Sequence, residues 1–165
     1  MLENQVKPVY IAIGSNLGNR INNIEKAKFQ LVQNNILITR SSNYYESLSW
    51  PNPNNPKFLN IVLKVFTDIP PLRLLKICKK IEKILGRKKG LKNSPRKCDI
   101  DILDYDNKKM MKNIILPHPR LHKRNFVLFP LFEICKNWKH PRSKDDIKSL
   151  ILSLPNRDIR SIKQI

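Results

Sequence analysis

Acids are scarce in this chain. Asp and Glu number 13 against 32 Lys and Arg over 165 residues, a formal charge of +19. Such a balance points to an anionic partner: nucleic acid, anionic lipid or a polyphosphate. The chain is also rich in Lys, Asn and Ile, so much of its lysine equally fits solvated surface. Cysteine is scarce too. Cys78, Cys98 and Cys135 stand far apart, form no Cys-x-x-Cys pair and are odd in number. That usage fits a reduced, cytoplasmic chain in which each thiol is a small core residue. Long apolar runs are missing. None approaches the ~18 residues of a membrane span, and MLENQVKPVYIAIG has no signal-peptide apolar region. No membrane partner is expected.

What is present alternates in period. VYIAIG (9–14) is a short apolar run ending at Gly and reads as a buried strand. NNIEKAKFQLVQNN (22–35) places Ile24, Ala27, Leu31 and Val32 at helical spacing. ILITRSSNYYES (36–47) reads as one strand, LSWPNPNNPK (48–57) as a proline-rich loop, and FLNIVLKVFT (58–67) as a further strand. PPLRLLKICKKIEKILG (70–86) is a helix with Pro at its start, Gly at its end and an apolar stripe from Leu74 to Leu85. RKKGLKNSPRK (87–97) is a basic loop, and CDIDIL is the fourth strand. The order βαββαβ is the split-βαβ, ferredoxin-like pattern. It predicts an α+β fold with a four-stranded antiparallel sheet and two helices on one face. Short helical patterns follow at FVLFPLFEI and DDIKSLILSL. At this length, with no internal repeat and no linker, a single domain over residues 1–165 is expected.

The stretch RKCDIDILDYD (96–106) carries the first chemical signal. On a strand, Ile100 and Ile102 face the core. Asp99 and Asp101 then face outward together, ~7 Å apart at their Cα atoms. Like charges so close repel, so a cation belongs between them. Carboxylates paired to lysines on an exposed strand face are one reading, and a functional pair is the other. The neighbouring loop favours function. Arg87, Lys88, Lys89, Lys92, Arg96 and Lys97 precede the acids. Two carboxylates suit Mg²⁺, which takes oxygen ligands and shares them with phosphates. Arg and Lys suit the phosphate oxygens that the metal leaves. The set describes a site for a nucleoside triphosphate and metal. A Walker A loop is absent, because GSNLGNR lacks the Gly-Lys-Ser/Thr ending. GSNLG by itself also fits a tight strand-to-helix turn.

LPHPRLHKRNFVLFPLFEI (116–134) is the second concentration. His118 and His122 are four apart, but Pro117 and Pro119 argue against the helix a zinc pair would need, and no second ligand pair completes it. His118, Arg124 and Phe126 fit a site rim better, with cations for phosphate and an aromatic for a flat ligand.

Taken together, YIAIGSNLG, FLN, IEKILGR, PRKCDIDIL and LPHPRLHKRNFVLFPLFEI resemble the 6-hydroxymethyl-7,8-dihydropterin pyrophosphokinases of folate biosynthesis. The resemblance runs from about residue 9 to residue 134. It implies a ferredoxin-like fold and an ATP-dependent diphosphotransferase. The pterin hydroxyl attacks the β-phosphorus of ATP, giving AMP and the pterin diphosphate. It implies Asp99 and Asp101 as ligands of two Mg²⁺ ions, and Arg87 and Arg96 as catalytic cations. Glu82, Lys89, Ile100, Ile102, His118 and Arg124 match nucleotide-site positions, Lys89 standing in for an arginine. Gly14, Ser47, Leu48, Phe58, Asn60 and Phe126 match pterin-site positions, with Phe58 and Phe126 as stacking walls. From the residues alone, Asn60 could equally be a strand polar group facing water. ATP and the hydroxymethyl pterin are then the partners of a monomer that binds no nucleic acid.

Two departures stand out. Asn93 and Ser94 replace the Trp and Gly that this family shows before its arginine, so a lid that closes less often is expected, and Asn93→Trp is expected to quicken it. The second loop begins SLSW in place of Thr-x-Pro. The rival reading is a small basic RNA-binding module of the same fold. It lacks the Gly-aromatic run of such modules, and an acid pair would repel phosphate without metal. A catalytically weakened relative is the third reading.

Overall fold

The computed structural model describes residues 6–165. Strand β1 (Lys7–Ser15) lies inside the sheet, hydrogen-bonded antiparallel to β4 (Phe58–Thr67) on one side and to β5 (Asp99–Tyr105) on the other. Its odd residues Val9, Ile11 and Ile13 pack under helices α1 (Arg20–Gln33) and α2 (Pro71–Ile84), against Ile24, Leu31, Leu74 and Ile81. Its even residues face the other way. Tyr10 packs with Val62 and Leu103 against Val127, Leu128 and Leu131 of α3 (Asn125–Ile134), with Leu150 of α4 (Ile147–Leu152) beyond. A central strand buried on both faces explains why VYIAIG shows no polar alternation.

The sheet has six strands rather than four, in the order β5-β1-β4-β3-β6, with β2 also on β4. The segment expected as one strand is divided into β2 (Leu37–Ser41) and β3 (Tyr45–Ser47). Ser42 interrupts it. The Ser42 hydroxyl accepts the Val62 N–H at 3.0 Å, and the Asn43 N–H turns away to the Glu133 carboxylate. A serine side chain has taken the place of a ladder carbonyl. The two-residue β6 (Lys163–Gln164) pairs with β3, and the short α5 (Asn156–Ser161) precedes it. Helices therefore lie on both faces, where the element order predicted only one.

A bulge between β1 and β5 leaves Leu103 extra, since Ile11 pairs with Ile102 and Tyr10 with Asp104. Asp104 is thereby buried and accepts from Trp138 Nε1–H at 2.9 Å and from the Asn107 N–H at 3.0 Å. Burial outweighs these bonds and raises its pKa. The native state then holds a proton that the unfolded chain has released, so this group's contribution to stability falls as pH rises from the ordinary carboxylate value through the raised one. Asp104→Asn is expected to flatten the pH dependence of the melting temperature in that window. Melts of both chains across mildly acid pH check it; parallel curves would contradict it.

Candidate active site

Strand register assembles one row of polar residues. Gly14 lies opposite Asp99 on one side and Asn60 on the other. Ala12 lies opposite Asp101 in the next row. On this face helix α3 stops short, and a cavity of about 710 Å³ opens over the row. Gly14 is small for a reason. A Cβ there would stand 3.2 Å from Asn60 Oδ1 and 3.3 Å from the Phe58 ring. The Asn60 amide donates both ways within the protein, to Tyr45 O at 3.1 Å and Ser47 Oγ at 2.9 Å. Its donors are thus committed, and Oδ1 is left as the acceptor for a ligand N–H. Phe58 and Phe126 both line the cavity, with Leu48 at its rim.

The repulsion expected of Asp99 and Asp101 is relieved by arginine. Arg87 Nη1 donates to Asp99 Oδ1 and Arg96 Nη2 to Asp99 Oδ2, each at 2.8 Å. Arg124 Nη1 donates to Asp101 Oδ2 at 3.2 Å. Burial pushes the Asp99 carboxyl up, but the guanidiniums of Arg96 and Arg87 outweigh it and hold its pKa below the ordinary value. Asp99 is an anion at neutral pH. Glu82 lies behind it, 2% exposed, accepting from Arg87 at 2.7 Å and from the Ile100 N–H at 2.8 Å.

A second cavity of about 260 Å³ is lined by Ile100, Ile102, Leu75, Lys79, Ile114 and Pro119. It shares Asp101 and His118 with the first. The Arg120 N–H donates to His118 Nδ1 at 3.2 Å, so in the neutral ring Nε2 carries the proton and faces Asp101 Oδ2 at 3.8 Å. Burial lowers the His118 pKa against the pull of Asp101. The molecule thus has an aromatic-walled chamber and an aliphatic one, meeting at a carboxylate and an imidazole.

Asn16, in the GSNLG stretch, fixes the loops above. It is 3% exposed. Its Oδ1 accepts the Arg96 N–H at 2.8 Å, and its own N–H donates to Arg96 O at 3.1 Å. Its Nδ2 donates to Pro56 O at 3.1 Å and Ser49 Oγ at 3.3 Å. One amide therefore ties the proline-rich loop to the arginine on Asp99. Asn16→Asp keeps the acceptor and loses the donors. It should free the loop while leaving Arg96 in register, raising KM for the ligand of the aromatic chamber more than it lowers kcat. Asn16→Ala should lower both. Steady-state kinetics of the two variants check this; identical profiles would contradict separate tethers.

The family model for 7,8-dihydro-6-hydroxymethylpterin-pyrophosphokinase (HPPK) matches residues 10–136. The chain belongs to the HPPK family. It is 42% identical over 141 residues to the Aquifex aeolicus 2-amino-4-hydroxy-6-hydroxymethyldihydropteridine pyrophosphokinase, covering 85% of this chain and 88% of that one. To the Bacillus subtilis protein of the same name it is 36% identical, covering 77% of each. It spans only 23% of the Arabidopsis thaliana mitochondrial folate synthesis bifunctional protein, at 40% identity. In fold it is similar to Plasmodium falciparum HPPK-DHPS with pteroate, with a TM-score of 0.75 and 16% identity over 100% of this chain and 47% of that one.

Against the residues that the HPPK resemblance singled out, the structure brings most to the two cavities. Gly14, Ser47, Leu48, Phe58, Asn60, Arg96, Asp99, Asp101, His118, Arg124 and Phe126 line the larger. Ile100 and Ile102 line the smaller. Arg87 and Glu82 line neither and stand behind Asp99. Lys89 is exposed on the basic loop and lines neither cavity. Among the described residues no group of three or more His, Cys, Asp or Glu is arranged to hold a metal. Sequence reasoning passed over Asn16, Trp50, Arg120 and the C-terminal residues Arg157 and Ser161, which also line the larger cavity or, for Asn16, hold its loops. The last two lie beyond the HPPK match. A buried Asn in GSNLG and an aromatic amid prolines were the available signals.

Proposed function

We infer that the chain transfers diphosphate from ATP to 6-hydroxymethyl-7,8-dihydropterin, releasing AMP and the pterin diphosphate for folate synthesis. Membership of the HPPK family carries the reading. Two unlike chambers meeting at Asp101 and His118 support it. In this reading the pterin lies between Phe58 and Phe126 and gives an N–H to Asn60 Oδ1, and the adenine lies against Ile100 and Ile102. The hydroxymethyl oxygen and the phosphates then meet over Asp101. Arg96 and Arg124 exchange carboxylate for phosphate oxygens as the triphosphate enters, and Arg87 is held at hand by Glu82. Positioned cations of this kind stabilise charge that spreads over the transferred oxygens. Lys89 supplies long-range attraction only.

Asp99 and Asp101 fit Mg²⁺. They are hard oxygen donors on one face of one strand, and two protein carboxylates leave the remaining positions to phosphates and water. Bound there, two such ions would polarise the transferred phosphoryl groups and lower the cost of the attacking alkoxide. The reading places the enzyme on a ferredoxin-like core, β2 and β3 counting as one interrupted strand. It is a single-domain cytoplasmic monomer whose partners are its two substrates, and RNA binding has no part in it. No helix among the described residues is long and apolar enough to cross a membrane.

The experiment is AMP release from ATP. It should require both the hydroxymethyl dihydropterin and Mg²⁺. AMP release that ignores the pterin, or none with all components present, would end the reading.

A further inference from the structure

The HPPK match ends at residue 136, yet residues 156–165 reach two walls of the larger cavity. The first wall is Phe126, the second residue of α3. A helix leaves its first N–H groups without intrahelical acceptors, and Arg124 at the N-cap supplies none from its side chain. Asn125 Oδ1 takes that place, accepting the Phe126 N–H at 2.7 Å. The same amide donates through Nδ2 to Asp158 O at 2.7 Å and to Ser161 Oγ at 3.3 Å, both in α5. Ser161 Oγ in turn donates to Asp158 O at 3.1 Å. The turn that bears the Phe126 ring is thus tied to a helix 33 positions along the chain.

The second wall is β3. Strand β6 pairs with it antiparallel, Gln164 opposite Tyr45 and Lys163 opposite Glu46, and the Ile165 N–H donates to Tyr44 O at 2.9 Å. Tyr45 O and Ser47 Oγ, on this strand, are the acceptors that commit the Asn60 donors and leave Asn60 Oδ1 for a ligand. One segment therefore joins the Phe126 wall to the group that would read the ring edge. Apolar burial does not explain its order. No residue of α5 is fully buried, and Ile159 packs only partly on the second core. A helix this short holds little order by itself, so its polar ties place it.

We propose that residues 156–165 form a clasp that fixes the spacing between Phe126 and Asn60, with Asn125 as the positioning residue through which it acts on the ring. This rests on the pterin reading above. Asn125 lines the cavity, but its amide N–H groups and its oxygen are engaged within the protein, so it serves the ligand through Phe126. A wall already held in place need not be ordered when the heterocycle enters, which strengthens binding. The smaller cavity has no lining residue from α3, β3 or the clasp. The effect is therefore confined to the heterocycle.

Asn125→Asp keeps the acceptor for the Phe126 N–H and loses both donors to α5. With a non-hydrolysable ATP analogue present, calorimetry should show pterin binding about tenfold weaker, with affinity for the analogue unchanged. KM for the pterin should rise likewise while kcat stays within about twofold. In a Phe126→Ala background the same change should alter pterin affinity by less than about twofold, because the ring it positions is gone, yet lower the melting temperature as it does in the native background. A merely structural role would weaken pterin binding equally in both. Ile165→Pro removes the N–H on Tyr44 O at an exposed end of the chain and should weaken pterin binding about threefold. Native pterin affinity in Asn125→Asp or in Ile165→Pro, or an equal loss with and without the Phe126 ring, overturns the clasp while AMP release by the native chain still stands. A native chain that neither binds the pterin nor releases AMP removes the reading and the proposal together.

Discussion

Asp101→Asn should release AMP on the order of 10²–10⁴ times more slowly than the native chain while melting at nearly the same temperature. The substitution keeps shape and removes one hard anionic donor from the junction of the two cavities. Electrostatic and metal-borne stabilisation of a transferred phosphoryl group is worth several kcal/mol, which sets that range. The fold should scarcely notice, since Asp101 has one arginine bond at 3.2 Å and a 29% exposed side chain. Asp99→Asn should lose rate comparably but also stability. From sequence the pair looked mutually repulsive, with a cation expected between the two carboxylates. The structure instead clamps Asp99 between Arg87 and Arg96. Its depressed pKa is a contribution present above the unfolded carboxylate value and lost as pH falls through the folded one. Asp99→Asn should therefore melt below Asp101→Asn. Single-turnover AMP release and thermal melts of both variants decide this. Near-native rates in both would refute the assignment of the pair to the transfer centre.

The strand bearing these acids was legible because period-two alternation fixes faces whatever the neighbours do. Ile100 and Ile102 could only be inside if Asp99 and Asp101 were out. Helices α1 and α2 were legible for the same kind of reason, their stripes at period 3.6 matching the buried Ile24, Leu31, Leu74 and Ile81. What escaped depended on partners far along the chain. Nothing local to Ser42 says that its hydroxyl will replace a carbonyl in the ladder of β4. Lys89, matched to the nucleotide site by resemblance, is exposed and lines neither cavity, and an irregular segment does not fix where one lysine of several points. Trp50 was hidden among prolines that announced only a loop. Asn16 was read as a turn residue, and its four hydrogen bonds reach residues 33 to 80 positions away. Periodicity reports burial, and it is silent on which buried polar group holds two loops together.

Glu82 shows the same limit with larger energies. The stripe of α2 already turns it inward, one turn after Cys78 and beside Ile81. Its Oε1 takes the Ile100 N–H at the start of β5, and its Oε2 takes the guanidinium of Arg87. Its carbonyl also accepts the Arg87 N–H at 2.9 Å. Side chain and backbone thus fix the first residue of the basic loop and the strand of the acid pair at one point. The carboxylate lines neither cavity, so under the proposed function it would act on the nucleotide through Arg87, as a positioning residue. Glu82→Ala leaves a buried N–H without a partner and Arg87 with Asp99 alone. A loss of roughly 3–5 kcal/mol follows for a buried charged hub. Glu82→Gln separates the two duties. Its carbonyl can still accept from Ile100, so the stability loss should be smaller, while the uncharged amide holds Arg87 weakly. KM for ATP should then rise and kcat fall about tenfold, with pterin affinity unchanged. Denaturant unfolding and steady-state kinetics on the two variants test both halves. Should Glu82→Ala unfold within about 1 kcal/mol of the native chain, the hub carries no structural load. A Gln variant with native kinetics would mean that Arg87 finds its place without Glu82, guided by Asp99 and the triphosphate alone.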